Sequence, residues 1–177
     1  MILPLETNQH IQARDFSIKQ HGNQRYGTLP YIVHLQAVVS VLLRFGVHPN
    51  NPEDTAILAA AWLHDVIEDT ETTKDEVEVA FGKEIATIVF CVTDGKGTSR
   101  SERKKEVYQK IITNQKAIQV KLADRIANVE ACFLNGHKKF KMYQIEHPTF
   151  IDTLAPHTHT VLGKNLIEYL NTLIHFK

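Results

Sequence analysis

One stretch limits this chain more than any other: AILAAAWLHDV, residues 56–66, is apolar or small on every side of a helix until it ends in the adjacent pair His64 and Asp65. A helix with no polar face belongs in the middle of a domain. The pattern therefore predicts a central helix whose polar end lies at depth or on the floor of a cleft. Asp54, in NNPED just upstream, is the expected N-cap.

Around this segment the apolar spacing is helical almost everywhere, with no repeat, linker or low-complexity tract. Helices are expected over about 5–21, 31–45, 73–82, 83–93, 101–113 and 117–134. Two more are expected over about 138–147 and 150–176, with breaks at Pro148 and Pro156. The loop HGNQRYGTLP separates the first two helices. His34, Val38, Val41 and Phe45 share one stripe of the second, and Thr73 with Glu76 has the spacing of a capping box. The charges of 101–113 read as a solvated face. Over 117–134, Leu122, Ile126, Val129 and Phe133 form an apolar stripe, and Lys121, Asp124, Arg125 and Asn128 recur on a polar face. No alternating strand pattern competes with these helices, so the expectation is an all-α helical array with no sheet. At 177 residues the chain fits one domain, 1–177, and leaves no room for a second catalytic one.

Net charge is zero with histidines neutral. It gives no reason to expect a nucleic acid polymer or an anionic membrane as the main partner, so any anion-binding surface must be local. MILPLETNQH lacks the basic flank and apolar run of a leader, and no apolar stretch approaches spanning length, which makes the cytoplasm the expected location. Cys91 and Cys132 stand far apart and read as buried free thiols. The oligomeric state is left open.

Chemistry concentrates in HDVIED, where His64 and Asp65 are followed by Glu68 and Asp69. A borderline nitrogen and a hard oxygen suit Mn, Fe, Zn or Co better than a calcium cage. The dipeptide alone carries little. His34 upstream and Asp124 downstream add weight, each on a helix expected to pack against the central one. This H…HD…D order resembles the signature of the HD superfamily of metal-dependent phosphohydrolases. RYGTLPYIVHL, AAAWLHDVIEDT and VKLADRIANVE are similar to the matching segments of RelA/SpoT-type alarmone hydrolases and their small single-domain relatives, over about residues 10–135.

The resemblance implies one divalent metal, Mn²⁺ first among candidates, held by His34, His64, Asp65 and Asp124. It implies Glu68 and Asp69 as the acid–base pair and substrate contacts from Arg25 and Asn128, with Tyr31 at the same entrance; the charge of a phosphorylated substrate adds Lys121 and Arg125 as candidate cations. The implied reaction removes the 3′-pyrophosphate from guanosine tetra- or pentaphosphate. Lys96, in the loop after the fifth helix, is a further candidate cation. Three positions depart from the pattern: Tyr26 where a basic residue commonly follows, Ala127 for a histidine and Ala131 for a threonine. A Tyr26 in that place could stack on a base.

Plainer readings exist for each residue. His34 could be a core histidine, Asp65 and Asp124 cap or ion-pair residues, and Glu68 and Asp69 solvated turn residues. Burying charge merely to pair it costs several kcal/mol per ion, which favours a metal. His157 and His159 form an HxH rival pair, but no carboxylate or cysteine cluster accompanies them. Other functional readings are an HD hydrolase for another phosphorylated nucleotide (a nucleoside monophosphate, a dNTP or NADPH) or a non-catalytic metal-stabilised regulatory module.

Overall fold

The computed structural model describes residues 9–95, 99–135 and 139–175. Helix α1 spans Gln9–His21, α2 Ile32–Arg44, α3 Thr55–Leu63, α4 Val66–Asp69 and α5 Lys74–Phe81. Then come α6 over Lys83–Val92, α7 Arg100–Ile111, α8 Gln115–Asn135, α9 Lys139–Leu154 and α10 Val161–His175. Lys96 and His137 lie outside the described residues.

Helix α3 occupies the centre, packed against α1, α2, α6 and α8, and every residue from Ala56 to Leu63 is buried. Leu35, Ile88, Leu122 and Ile126 are closed off from solvent around it. The Ser17 hydroxyl of α1 donates to the Trp62 carbonyl at 2.6 Å, fixing the end of α3 to its neighbour. The Thr73–Glu76 capping box opens α5 as its spacing predicts. Gly82, at φ +85°, ends α5 and starts α6, a backbone conformation that L side chains rarely adopt.

Four local expectations need correction. The helical array carries one small piece of sheet: within HGNQRYGTLP, β1 (Arg25–Tyr26) pairs antiparallel with β2 (Leu29–Pro30), Tyr26 opposite Leu29. Gly27, at φ +62°, supplies the left-handed first position of its two-residue turn. Asp54 does not cap α3; its carboxylate instead accepts from the His48 N–H at 2.8 Å and the Asn51 amide at 3.1 Å. Helix α9 runs through Pro148. The buried Tyr143, His147, Phe150 and Leu154 continue one stripe across the proline and hold the helix together despite the missing N–H. The break comes at Pro156, inside a short 3₁₀ turn over Ala155–His157. Finally, Phe133 ends the α8 stripe 43% exposed, while Leu122, Ile126 and Val129 are buried.

Candidate metal centre

Adjacent residues on a continuous helix point about 100° apart, so His64 and Asp65 could not both serve one point. The chain solves this by leaving the helix at Leu63 and re-entering at Val66. Asp65 sits in the turn at φ −100°, ψ −2°. Both side chains then reach the end of α2, where His34 emerges, and the middle of α8, which supplies Asp124.

The four groups converge. His34 Nε2 lies 3.2 Å from His64 Nε2, 3.4 Å from Asp124 Oδ1 and 3.5 Å from Asp65 Oδ2. His64 Nε2 is 3.0 Å from Asp65 Oδ2 and 3.9 Å from Asp124 Oδ1. His34, His64 and Asp124 each offer one ligand atom within 4.8 Å of the others, and all three are buried. Asp65 joins them through its Oδ2.

This donor set fits a divalent cation. Two imidazole nitrogens facing each other at 3.2 Å set lone pair against lone pair unless a proton or a cation lies between them. The other nitrogen of His64 is committed: Nδ1–H donates to the Ala61 carbonyl at 2.9 Å, which can only accept, so the Nε2 lone pair is turned into the cluster. Burial opposes charge on His34, but hydrogen bonds to Asp124 and Asp65 outweigh it and raise its pKa to about 9. His64 is also raised: burial opposes, and Asp65 dominates. The carboxylates go the other way. Burial would raise Asp65, yet the His64 and His34 rings hold it well below the usual carboxylate range, and Lys121 with the same rings lowers Asp124.

A cleft of about 220 Å³ opens beside the cluster. Glu68 and Asp69, from α4, line it together with Tyr31, Lys121, Arg125 and Asn128. Glu68 keeps solvent-exposed surface, but the protein crowding its carboxyl raises its pKa, against the Asp94 N–H that Oε2 accepts at 3.0 Å. The Gln24 amide donates to Asp69 at 2.8 Å. The Tyr31 hydroxyl donates to Asp65 Oδ2, and its ring stacks on His21 at 4.6 Å.

The proposed substrate residues fall in different places. Lys121 Nζ is 3.3 Å from Asp124 Oδ2; burial opposes its charge, and Asp124 outweighs burial to raise its pKa. Asn128 donates to both the side chain and the backbone carbonyl of Asp124. Arg125 is 7% exposed, pairs with Glu146 at 3.2 Å and lies over the Phe150 and Tyr143 rings at 4.5 and 4.9 Å. Arg25, on β1, is exposed and is not among the residues that line the cleft.

Other lining residues carry no motif offset that a sequence reading could use: Lys104 and Tyr108 from α7, Tyr143 from α9 and Asp94. Lys104 belongs to the helix whose charges read as a solvated face, yet it turns inward and pairs with Glu146. Tyr26 also lines the cleft, with its ring stacked on His34 at 4.8 Å and 19°. His157 and His159 form no such cluster: the His157 carbonyl and the His159 N–H are both bound to the Gln115 side chain. Cys91 and Cys132 are buried free thiols.

Comparison with known proteins gives a consistent picture. The HD domain family profile matches residues 13–147. Guanosine-3′,5′-bis(diphosphate) 3′-pyrophosphohydrolase MESH1 of Homo sapiens is 40% identical over 129 residues, which is 70% of this chain and 69% of that protein. The guanosine-3′,5′-bis(diphosphate) 3′-pyrophosphohydrolase of Aquifex aeolicus is 34% identical over 144 residues, 78% of this chain but 20% of that longer protein. A solved structure described as "A metazoan ortholog of SpoT hydrolyzes ppGpp and plays a role in starvation responses" has the same fold, with TM-score 0.76 at 23% identity, covering 96% of this chain and 97% of that one. Among the described residues no helix is long and apolar enough to cross a membrane.

Proposed function

The chain belongs to the HD domain family, and on that footing we propose that it is a divalent-metal-dependent hydrolase of guanosine 3′,5′-bis(diphosphate). It would remove the 3′-pyrophosphate and leave GDP. The observation that carries this reading is the approach of His34 and His64 within 3.2 Å, beside Asp65 and Asp124, at the edge of a cleft lined by acids and cations. Relatives named for that reaction at up to 40% identity supply the substrate.

His34, His64, Asp65 and Asp124 would hold the ion, with Mn²⁺ the proposed metal. When bound, a divalent ion supplies Lewis acidity, lowering the pKa of a water and neutralising charge on a phosphoryl oxygen. The protein's own groups do the rest. The Glu68 carboxylate accepts a proton from the attacking water as the new P–O bond forms, and its raised pKa brings it nearer to the working range of a general base. Asp69, steadied by Gln24, orients that water; as the bond from phosphorus to the ribose 3′ oxygen breaks, the acid–base pair returns the proton to that oxygen and pyrophosphate leaves. Lys121 and Arg125 balance substrate charge from the cleft wall, which Tyr31 and Asn128 also line, and Arg25 would add a charge from the exposed hairpin beside it. No serine or cysteine lines the cleft among the described residues, which favours direct attack by water over a covalent intermediate. Residues 1–177 act as one unit, since α9 lends Tyr143 to the cleft and Glu146 to Arg125. The cytoplasm is the proposed location.

One observation favours a second substrate within the same chemistry: Arg25 stands outside the cleft and Tyr26 brings no cation. A nucleotide with fewer phosphates, such as a nucleoside monophosphate or a dNTP, would then be turned over instead. A panel assay with Mn²⁺ against guanosine tetraphosphate, NADPH, dNTPs and nucleoside monophosphates, read by released product, separates the two. Preferential turnover of guanosine tetraphosphate is expected, and none at all would overturn the substrate.

A further inference from the structure

Tyr26 touches one of the four proposed ligands, His34, and reaches a second, Asp124, through Asn128. Its ring lies flat against His34, centroid to centroid 4.8 Å at 19°. Its hydroxyl donates to Asn128 Oδ1 at 2.9 Å. Asn128 passes the order on: its amide N–H₂ donates to Asp124 Oδ1 at 2.5 Å and to the Asp124 carbonyl at 3.1 Å. Asp124 Oδ1 is the oxygen that faces His34 and His64, while Oδ2 is engaged by Lys121.

The direction of this chain is forced at both ends. A carboxylate can only accept, so the Asn128 N–H₂ must face Asp124 and its carbonyl oxygen must face away, toward Tyr26. The Tyr26 hydroxyl must then donate. Remove the hydroxyl and the Asn128 amide loses the contact that fixes its orientation. Asp124 Oδ1 then loses a directed donor. The hairpin has a purpose in this light, since the turn at Gly27 directly follows Tyr26, which pairs with Leu29 across it.

We propose that Tyr26 is a positioning residue for the metal centre, holding the Asp124 carboxylate in its ligating orientation through Asn128 while its ring fixes the plane of His34. The ring face spent on His34 is not available to a nucleobase. The proposal rests on the reading of the four-residue cluster as a metal site but not on the identity of the substrate.

The test is a Mn²⁺ titration of the whole chain, followed by electron paramagnetic resonance of the free ion, on wild type, Tyr26→Phe, Asn128→Ala and the double variant. Tyr26→Phe keeps the stacked ring and removes only the hydroxyl, and thermal unfolding checks that it folds. Losing a group that orients a ligand costs about ten- to a hundred-fold in metal affinity. Tyr26→Phe is expected to weaken Mn²⁺ by at least the lower figure, and to add little in the Asn128→Ala background because the same path is already cut. Unchanged Mn²⁺ affinity in Tyr26→Phe, or a fully additive double variant, would each overturn the positioning role while the metal site stands. A wild-type protein that binds no Mn²⁺ would overturn both.

Discussion

His34 and His64 meet nitrogen to nitrogen at 3.2 Å, and the metal-free pair must therefore hold a proton that a cation displaces. With the His34 pKa raised to about 9, that proton is present across the neutral range. Metal binding should release it, so affinity rises with pH by about ten-fold per unit for one displaced proton and levels off as pH nears that of His34. Calorimetric Mn²⁺ titrations between pH 6.5 and 8.5, in buffers of different ionisation enthalpy, measure both the slope and the proton count. Affinity independent of pH would show that the imidazoles are not displaced from protons and do not ligate.

The same shift has a stability consequence in the metal-free protein. The folded His34 pKa of about 9 lies above the ordinary imidazole value of 6.5, so protonation favours the folded state. Its contribution is complete below pH 6.5 and is lost as pH rises through 9. Thermal unfolding of metal-free protein should shift to lower temperature across that window. Saturating Mn²⁺ should abolish the trend, because the cation takes the proton's place. A flat or rising midpoint in the metal-free protein would contradict the geometry of the pair.

Removing a ligand should remove the metal. Asp65 Oδ2 faces both histidines and accepts from Tyr31, so Asp65→Asn replaces a half-buried anion with a neutral amide at the point where charge is most needed. Elemental analysis after dialysis should find no bound ion in Asp65→Asn or in His64→Ala. Full occupancy in the double variant would sink the assignment of the cluster.

The parts of this site that were legible in the sequence are those fixed by helical period. Lys121, Asp124, Arg125 and Asn128 repeat at three and four residues and do share one face of α8, and the apolar run before His64 does lie at the centre. The turn that lets His64 and Asp65 converge was not legible, because nothing in LHDV marks where an apolar helix gives way. The far wall of the cleft was hidden for a different reason. Lys104, Tyr108 and Tyr143 arrive from α7 and α9 by tertiary packing and bear no fixed offset to the HD pair. The hairpin had a local signal, Gly27–Thr28 between short extended pairs, but two residues per strand leave no alternation to detect. Pro148 misled because burial on both sides of it outweighed the lost hydrogen bond.

Binding and chemistry should separate at Glu68. It holds no position in the metal cluster of the described residues, and its Oε2 accepts from the Asp94 N–H. Glu68→Gln keeps that contact and the shape of α4 but cannot take a proton. Turnover should fall by about 10²- to 10⁴-fold, the span for losing a positioned acid or base, with Mn²⁺ affinity near wild type. Wild-type turnover would return Glu68 to the role of a turn residue.

Arg25 poses the sharpest question about specificity, because the family resemblance assigns it to substrate while its side chain lies exposed on the hairpin. Guanosine tetraphosphate carries two pyrophosphate groups, and the cations that line the cleft are already engaged: Lys121 with Asp124, Arg125 and Lys104 with Glu146. The second pyrophosphate therefore has most to gain from a cation at the mouth, and Arg25 is adjacent to Tyr26, which lines it. A charge-assisted contact contributes about 1.5–3 kcal/mol, so Arg25→Ala should lower kcat/KM by roughly ten- to a hundred-fold. An exposed group that reaches only the bound substrate acts before the reaction, so the loss should appear in KM, with kcat and Mn²⁺ affinity little changed. The effect should also shrink as salt is raised, since the contact is solvent-accessible. Steady-state kinetics of Arg25→Ala at two ionic strengths decides this. If kcat/KM stays at the wild-type value, the hairpin serves the metal through Tyr26 alone, and recognition of the second pyrophosphate must come from the cations of the cleft wall.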